Sequence, residues 1–121
     1  MKYLLAIAAI LMSTQFAAAQ SFMTNEELLA TIPGHTFYGI SNSDGKTQWA
    51  QTYSAYKGRK KGKVAGNFGG EKYEGKWQVK NDQWCEDWST GKGCWSLERV
   101  DAKNIRVYKD GEPLKNFWTL K

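Results

Sequence analysis

The sequence predicts an all-β fold, a small antiparallel up-and-down barrel of about eight strands with one short N-terminal helix. From Thr36 onward, apolar and polar residues alternate with a period of two, and clusters of Gly, Asn and Asp divide the chain into short segments. Most of the turns between these segments are tight, which favours antiparallel neighbours. Closure into a barrel removes the exposed edges that a flat sheet would keep. A partly open barrel and a small sandwich are the alternatives.

The first 19 residues have the pattern of a secretory signal peptide. Lys2 gives a short positive region, residues 4–12 are apolar, and residues 17–19 are alanines that form a small-residue cleavage site. The apolar run is short for a membrane span and no stop-transfer pattern follows, so an uncleaved anchor helix is the weaker interpretation. We therefore predict a periplasmic or secreted protein with no transmembrane segment after cleavage, in which residues 20–121 form a single β-barrel domain.

One short helix is expected ahead of the strands. Thr24 and Glu27 have the spacing of a capping box, and a Pro-Gly pair ends the helix after Ile32. Leu28, Leu29 and Ile32 recur at helical spacing and form one apolar stripe. The stripe predicts a helix that closes one end of the barrel or packs on the sheet, and a partner-binding helix is the alternative.

Two cysteines, Cys85 and Cys94, predict one disulfide in an oxidising compartment. A turn centred on residues 89–90 would set Cys85 opposite Cys94, and Trp84 opposite Trp95 on the other face. The bridge is therefore expected outside the barrel and the two indoles within it. Two free thiols acting as metal ligands would need more donors than the single histidine of the chain supplies.

The chain is moderately basic, with 17 Lys and Arg against 12 Asp and Glu and a formal net charge of +5. The cations are densest in residues 57–63, where two glycines indicate a loop. This loop could hold an anionic headgroup, a polyanion or an acidic protein, or it could be a solvated hairpin tip. The basic surface residues are Lys57, Arg59, Lys60, Lys61 and Lys63.

The aromatic residues have two interpretations. Trp77, Trp84 and Trp95 fall on the face assigned to the interior, where large rings fill the core. Other aromatic residues lie near strand ends or on the opposite face, where with nearby polar groups they could line a small apolar pocket. The residues assigned to this ligand-binding site are Trp49, Gln51, Tyr53, Glu86, Trp88 and Trp118. A register shift of one residue would exchange the two sets.

An enzyme is not expected, and no catalytic residue, cofactor or metal site is predicted. His35 has no Ser or Cys beside it to act as a nucleophile. Glu86 and Asp87 are adjacent, so in a strand they point to opposite faces and cannot act as an acid and base pair. The glycine-rich residues 66–70 form a turn between strands and lack the helix of a phosphate loop. The basic run is brief, so a nucleic-acid partner is not expected.

The motifs occur in a distinctive order. A secretory signal precedes a Thr-x-x-Glu-Leu-Leu helix, a Gly-x-Thr-Phe strand and Gly-Lys-Trp-Gln-Val at 75–79, and Trp-Cys, Gly-Cys-Trp and a closing Lys-Asp-Gly follow. This order resembles a family of small exported proteobacterial proteins classed as a domain of unknown function. The resemblance implies a lipocalin-like β-barrel and implies no chemistry. Lipocalins carry Gly-x-Trp at the first strand, whereas here it lies mid-chain, so a large ligand cup is not implied.

These observations predict an exported, non-enzymatic binding protein, expected to be a monomer. Its ligand is predicted to be small and either amphipathic or derived from the cell envelope. The alternative is a protein-interaction or inhibitor module that uses the 57–63 loop to bind an acidic envelope component or protein.

Overall fold

The computed structural model describes residues 21–121, so the predicted signal peptide lies outside the described residues. One helix precedes nine antiparallel strands, and eight of these strands close into a barrel. The elements are α1 (Asn25–Thr31), β1 (Thr36–Ile40), β2 (Gln48–Tyr53), β3 (Lys61–Phe68), β4 (Glu71–Lys80), β5 (Gln83–Trp88), β6 (Gly91–Arg99), β7 (Asn104–Lys109), β8 (Glu112–Pro113) and β9 (Trp118–Leu120).

The barrel is of the up-and-down type that the alternation and the turns predict. Strands β1 to β7 pair in chain order, and β9 closes the ring because it pairs with both β7 and β1. The all-β prediction is confirmed. Within residues 21–121, no helix is long and apolar enough to span a membrane.

The core lies inside the ring and is rich in aromatic rings. Trp77 and Trp84 stack with their ring centres 5.0 Å apart, and Tyr53 meets Trp84 edge to face at 5.2 Å. These large rings fill the space that a ring of eight strands leaves in its centre. The strands contribute these side chains to the hydrophobic core: Phe37, Tyr53, Val64, Trp77, Val79, Trp84, Leu97, Ile105, Val107 and Trp118.

The helix closes one end of this core, as its apolar stripe predicts. Thr24 and Glu27 form the capping box, and Leu28 and Ile32 are fully buried. The backbone N–H of Asn25 donates to Asp82 Oδ1, and the Asp82 N–H donates to Asn25 Oδ1, at 2.8 and 2.7 Å. These two bonds attach the first turn of α1 to the β4–β5 turn.

The predicted disulfide and its register are confirmed. Cys85 pairs with Cys94 across β5 and β6 and forms the bridge, and Trp84 pairs with Trp95. The two-residue turn at 89–90 joins these strands. Because neighbouring side chains in a strand alternate, the sulfur atoms lie on the face opposite the buried Trp84.

The turn after β7 leads into the short strand β8, whose Pro113 has no N–H to continue a ladder. One prediction about a strand end is wrong in detail, because the basic run was expected to be a loop throughout, but β3 begins at Lys61. Gly62 lies within β3 where Trp77 packs, since a Cβ there would come 2.5 Å from the indole nitrogen.

Candidate functional site

The barrel has one end covered by α1 and one end open. The connections at the open end are residues 41–47 between β1 and β2, the turns at 69–70 and 89–90, and the chain after β7. A pocket of about 630 Å³ lies at this end and is lined by residues of all these connections or the strand ends beside them. We call it the mouth pocket. Its volume is in the range of sites that bind small molecules.

The mouth pocket brings together the residues that the sequence analysis assigned to a ligand site. Trp49, Gln51, Glu86, Trp88 and Trp118 line it. Tyr53 lies beneath them, fully buried, with its hydroxyl bonded to Gln51 and Glu86. The structure therefore places all six side chains at one end of the barrel interior.

Two of these residues lie deeper than expected. Tyr53 is the last residue of β2 and Trp118 the first of β9, so both lie at strand ends as predicted, but both are buried among the core side chains and not on the face away from the core. Trp118 contacts Trp49 and Trp95 edge to face, each at 5.9 Å, and stacks against Tyr53 at 6.5 Å. Apart from Trp88, whose ring contacts Tyr73, the two sets of aromatic residues therefore form one continuous column that runs from the core to the pocket.

A chain of hydrogen bonds forms the polar floor of the pocket. The Tyr53 hydroxyl lies 2.9 Å from Glu86 Oε1 and 2.5 Å from Gln51 Oε1, and the Gln51 amide donates to the Tyr73 hydroxyl at 2.7 Å. Tyr53 has one proton for two acceptors. When Glu86 is protonated, its O–H can donate to Tyr53, which then donates to Gln51, so that each proton has one acceptor.

Glu86 is the buried ionisable group of this floor, with 3 % of its surface exposed. Burial raises the pKa of its carboxyl from 4.5 to about 7, because the charged form loses its hydration. The Tyr53 hydroxyl and the Trp84 indole N–H oppose this rise in pKa, although the indole makes no hydrogen bond of ordinary geometry. Glu86 therefore changes its charge near neutral pH.

On the β4 side, the wall of the pocket is formed by two aromatic rings that pack over glycines. Tyr73 and Trp88 meet edge to face with ring centres 4.6 Å apart. Each lies over a glycine of the adjacent strand, Tyr73 over Gly66 and Trp88 over Gly75. A Cβ at Gly66 would come 2.7 Å from the Tyr73 oxygen, so these glycines make room for the rings.

Several lining residues were not assigned to the site from the sequence. Tyr73 and Glu71 have the same strand parity as the interior Trp77, and this parity was the available signal. Trp95 was assigned to the core alone, but it is only partly buried and also lines the pocket. Leu114 follows β8, where no periodicity indicates a face.

The predicted basic residues lie elsewhere, on the outer surface. Lys57, Arg59 and Lys60 lie in the loop before β3, while Lys61 and Lys63 are exposed on β3 itself. Lys63 pairs directly with Lys76 of β4. A shallow outer groove of about 480 Å³ continues this basic surface across the disulfide as far as Lys80 and Lys92.

The histidine of the chain lies outside the mouth pocket. His35 lies at the helix-covered end, where its ring nitrogen Nδ1 is 3.2 Å from the Pro33 carbonyl oxygen. Within residues 21–121, no group of three or more His, Cys, Asp or Glu side chains could hold a metal ion.

Comparisons with protein-family models, with curated proteins and with solved structures find no match to this chain. The mouth pocket is therefore interpreted from its own residues.

Proposed function

We propose that this protein is an exported, non-enzymatic binding protein that takes a small ligand into the mouth pocket. The observation that supports this most is the asymmetry of the barrel interior. The helix end is filled by packed aromatic and aliphatic side chains, whereas the other end is an open pocket lined mainly by aromatic rings with Gln51 and Glu86 at its floor. A concave, largely apolar site with a few convergent polar groups is typical of small-molecule binding.

Export is part of the same proposal. The Cys85–Cys94 disulfide is consistent with an oxidising compartment. We expect expression of the full chain with its leader to yield a mature protein that begins at Gln20. Mass spectrometry of the periplasmic and medium fractions tests this, and recovery of the uncleaved chain would contradict it.

Ligand binding is tested by calorimetry and by intrinsic tryptophan fluorescence against a panel of lipids, cell-wall fragments and small aromatic compounds. A ligand of the mouth pocket should bind wild type and lose affinity in Trp88→Leu, because this indole forms part of the wall. Tyr56→Leu is the matched control, since Tyr56 is an exposed aromatic residue outside the pocket. An equal loss in both variants, or no binding from any class, would contradict the proposal.

A second candidate function is binding of an acidic protein by the outer basic surface. Lys63 and Lys76 lie directly opposite each other across β3 and β4, an arrangement that lowers the stability of the sheet. Two acidic residues, Glu86 and Asp87, belong to the outer groove. The side chain of Glu86 is buried, so only Asp87, which pairs with Lys92 at 3.6 Å, offsets the positive charge of the groove. A surface that keeps such repulsion is well suited to a partner of opposite charge.

The second candidate is tested on a polyglutamate affinity matrix. Lys61→Gln, Lys63→Gln and Lys76→Gln are combined in one variant and elution by salt is measured. The matched control combines Lys103→Gln, Lys115→Gln and Lys121→Gln, which removes the same charge from other exposed sites. The first variant should elute at clearly lower salt than the control, and equal elution of the two variants would contradict a dedicated basic site.

A further inference from the structure

The mouth pocket has a charge opposite to that of the whole protein. The chain carries 17 Lys and Arg against 12 Asp and Glu. Among the residues that line the pocket, however, the acidic side chains are Glu71, Glu74 and Glu86, and the only basic one is Lys72. An acidic concave site on a basic protein favours entry of cations and disfavours anions.

The walls of the pocket are suited to a cation of a particular kind. Trp49, Trp88, Trp95 and Trp118 present four indoles to the space, together with the Tyr73 ring. The faces of aromatic rings attract ammonium groups, and indole is the strongest of the aromatic side chains in this respect. The Lys109 ammonium already lies 6.0 Å from the centre of the Trp95 ring, so a ring of this wall accommodates such a group within the protein itself.

The floor of the pocket holds the counter-charge. Glu86 Oε1 is occupied by the Tyr53 hydroxyl. In the part of the chain that the structure describes, no Lys or Arg side chain forms an ion pair with the Glu86 carboxylate, and the Trp84 indole N–H is the other polar group beside it. A carboxylate that is largely removed from water and has no cationic partner gains strongly from a cationic ligand.

We propose that the mouth pocket binds an organic cation, an alkyl- or arylammonium compound, with the Glu86 carboxylate as its counter-ion and the indoles as its walls. This inference rests on the proposed function, because it names the ligand class of the same pocket. An inorganic cation is a poor fit because the walls are mainly carbon. A neutral ligand of the same shape would gain the apolar contacts but not the charge interaction, and an anion would be repelled.

The state of Glu86 makes the binding dependent on pH. The titratable groups that face its carboxyl are Tyr53 from β2 and Tyr73 from β4, and burial raises the pKa of both phenols, so both stay neutral at physiological pH. The facing residues from β6, β7 and β9 are Gly93, Trp95, Val107 and Trp118, and none of these titrates. At the rim lie Glu71, Glu74, Lys72 and Lys109.

Because Glu86 is the group of this set that titrates near neutrality, it should control the affinity for a cation. Its pKa of about 7 means that the carboxyl is mostly ionised at pH 8 and mostly protonated at pH 5.5. A cation that binds at pH 5.5 must displace the proton, which lowers its affinity by about tenfold or more.

The experiment uses three probes with one carbon skeleton and different charges: 2-phenylethylamine, 2-phenylethanol and phenylacetate. Calorimetry measures their affinities for the mature protein at pH 8 and pH 5.5. We expect the amine to bind at pH 8 at least about tenfold more tightly than the alcohol, and phenylacetate to bind least. The advantage of the amine should shrink at pH 5.5, while affinity for the alcohol stays nearly constant.

Glu86→Gln is the decisive variant, because it keeps the shape of the side chain and removes the charge. It should bind the amine and the alcohol with nearly equal affinity at both pH values. Glu26→Gln is the matched control, since it makes the same charge change on α1 at the closed end and should keep the preference for the amine. Near-UV circular dichroism establishes that both variants are folded.

The outcomes separate this inference from the proposed function. If the alcohol or phenylacetate binds as well as the amine, or if Glu86→Gln keeps the preference, the organic-cation inference is wrong while the pocket remains a ligand site. If none of the three probes binds, the organic-cation inference is contradicted, and the ligand panel described above then decides separately on the proposed function.

Discussion

Trp88 of β5 lies directly across from Gly75 of β4, and its indole occupies the space where a side chain at Gly75 would begin. A Cβ at Gly75 would come 2.7 Å from Trp88 Cζ3 and 2.7 Å from the Asp87 carbonyl oxygen. The glycine therefore sets the position of an aromatic wall of the mouth pocket.

Gly75→Ala is expected to displace the Trp88 ring and to lower the free energy of unfolding by about 1 to 3 kcal/mol, because the added methyl group overfills a packed site. Urea denaturation measures the free energy, and the near-UV circular dichroism spectrum reports the change around the indole. Any ligand of the mouth pocket should bind this variant more weakly.

A double-mutant cycle with Trp88→Ala tests whether the lower free energy of unfolding of Gly75→Ala comes from the clash with the Trp88 ring. In the Trp88→Ala background, Gly75→Ala should cost less by at least about 0.5 kcal/mol, since only the Asp87 carbonyl oxygen still crowds the methyl group. The same cost in both backgrounds would show that Trp88 does not depend on this glycine.

The stability of the protein should fall as pH rises from about 5 to 8. The pKa of Glu86 is raised from 4.5 to about 7 in the folded protein, so the folded state binds more protons than the unfolded state between these values. The stabilisation that comes from the protonated Glu86 side chain is fully present below the unfolded pKa of 4.5. It is lost as pH rises through the folded pKa of about 7. We expect a loss of about 2 to 3 kcal/mol between pH 5 and pH 8, measured by urea denaturation at several pH values.

Glu86→Gln is the control for this pH dependence. It should flatten the curve and be more stable than wild type at pH 8, since it leaves no charge in the buried site. The lowered pKa values of Asp44 and Asp101 do not interfere, because both carboxyls are ionised above pH 5 in the folded and the unfolded chain. A wild-type curve that rises from pH 5 to pH 8, or an unchanged slope in the variant, would contradict the assignment.

The fold could be predicted where local sequence sets the register. The two-residue turn at 89–90 determines which residues of β5 and β6 face each other, so the Cys85–Cys94 pairing followed from the sequence. The end of the chain could not be read in the same way. Between Pro113 and Trp118 no alternation indicates a face, and the place of β9 depends on its pairing with β1, which is distant in sequence.

The candidate site could be predicted in its members but not in its geometry. Alternation places Trp49, Gln51 and Tyr53 on one face of β2, and Glu86 and Trp88 on one face of β5. Alternation alone does not decide that both faces point inward. Only closure of the barrel brings the Tyr53 hydroxyl within 2.9 Å of a carboxylate 33 residues away, and no local pattern encodes that contact.

The closed end of the barrel should depend on one leucine of α1 more than on its neighbour. Leu28 is fully buried in the core, whereas Leu29 is partly buried at its edge. Leu28→Ala is expected to lower the free energy of unfolding by about 2 to 5 kcal/mol, because it leaves a cavity between the helix and the strands. Leu29→Ala should cost clearly less, and equal costs in urea denaturation would mean that α1 does not close the core through this side chain.

The disulfide should stabilise the barrel without shaping the mouth pocket. Cys85 and Cys94 are separated by 9 residues in sequence, so their bridge closes a short loop. On the chain-entropy account, loss of such a bridge costs about 2 to 3 kcal/mol. The variant that combines Cys85→Ala and Cys94→Ala should show this loss in urea denaturation, and wild type should show it only when dithiothreitol is present.

The side chains that line the pocket point to the opposite face of β5 and β6, so the folded variant should bind pocket ligands with unchanged affinity. An unchanged free energy of unfolding would contradict the stabilising role, and weaker binding by a fully folded variant would place the bridge among the supports of the pocket.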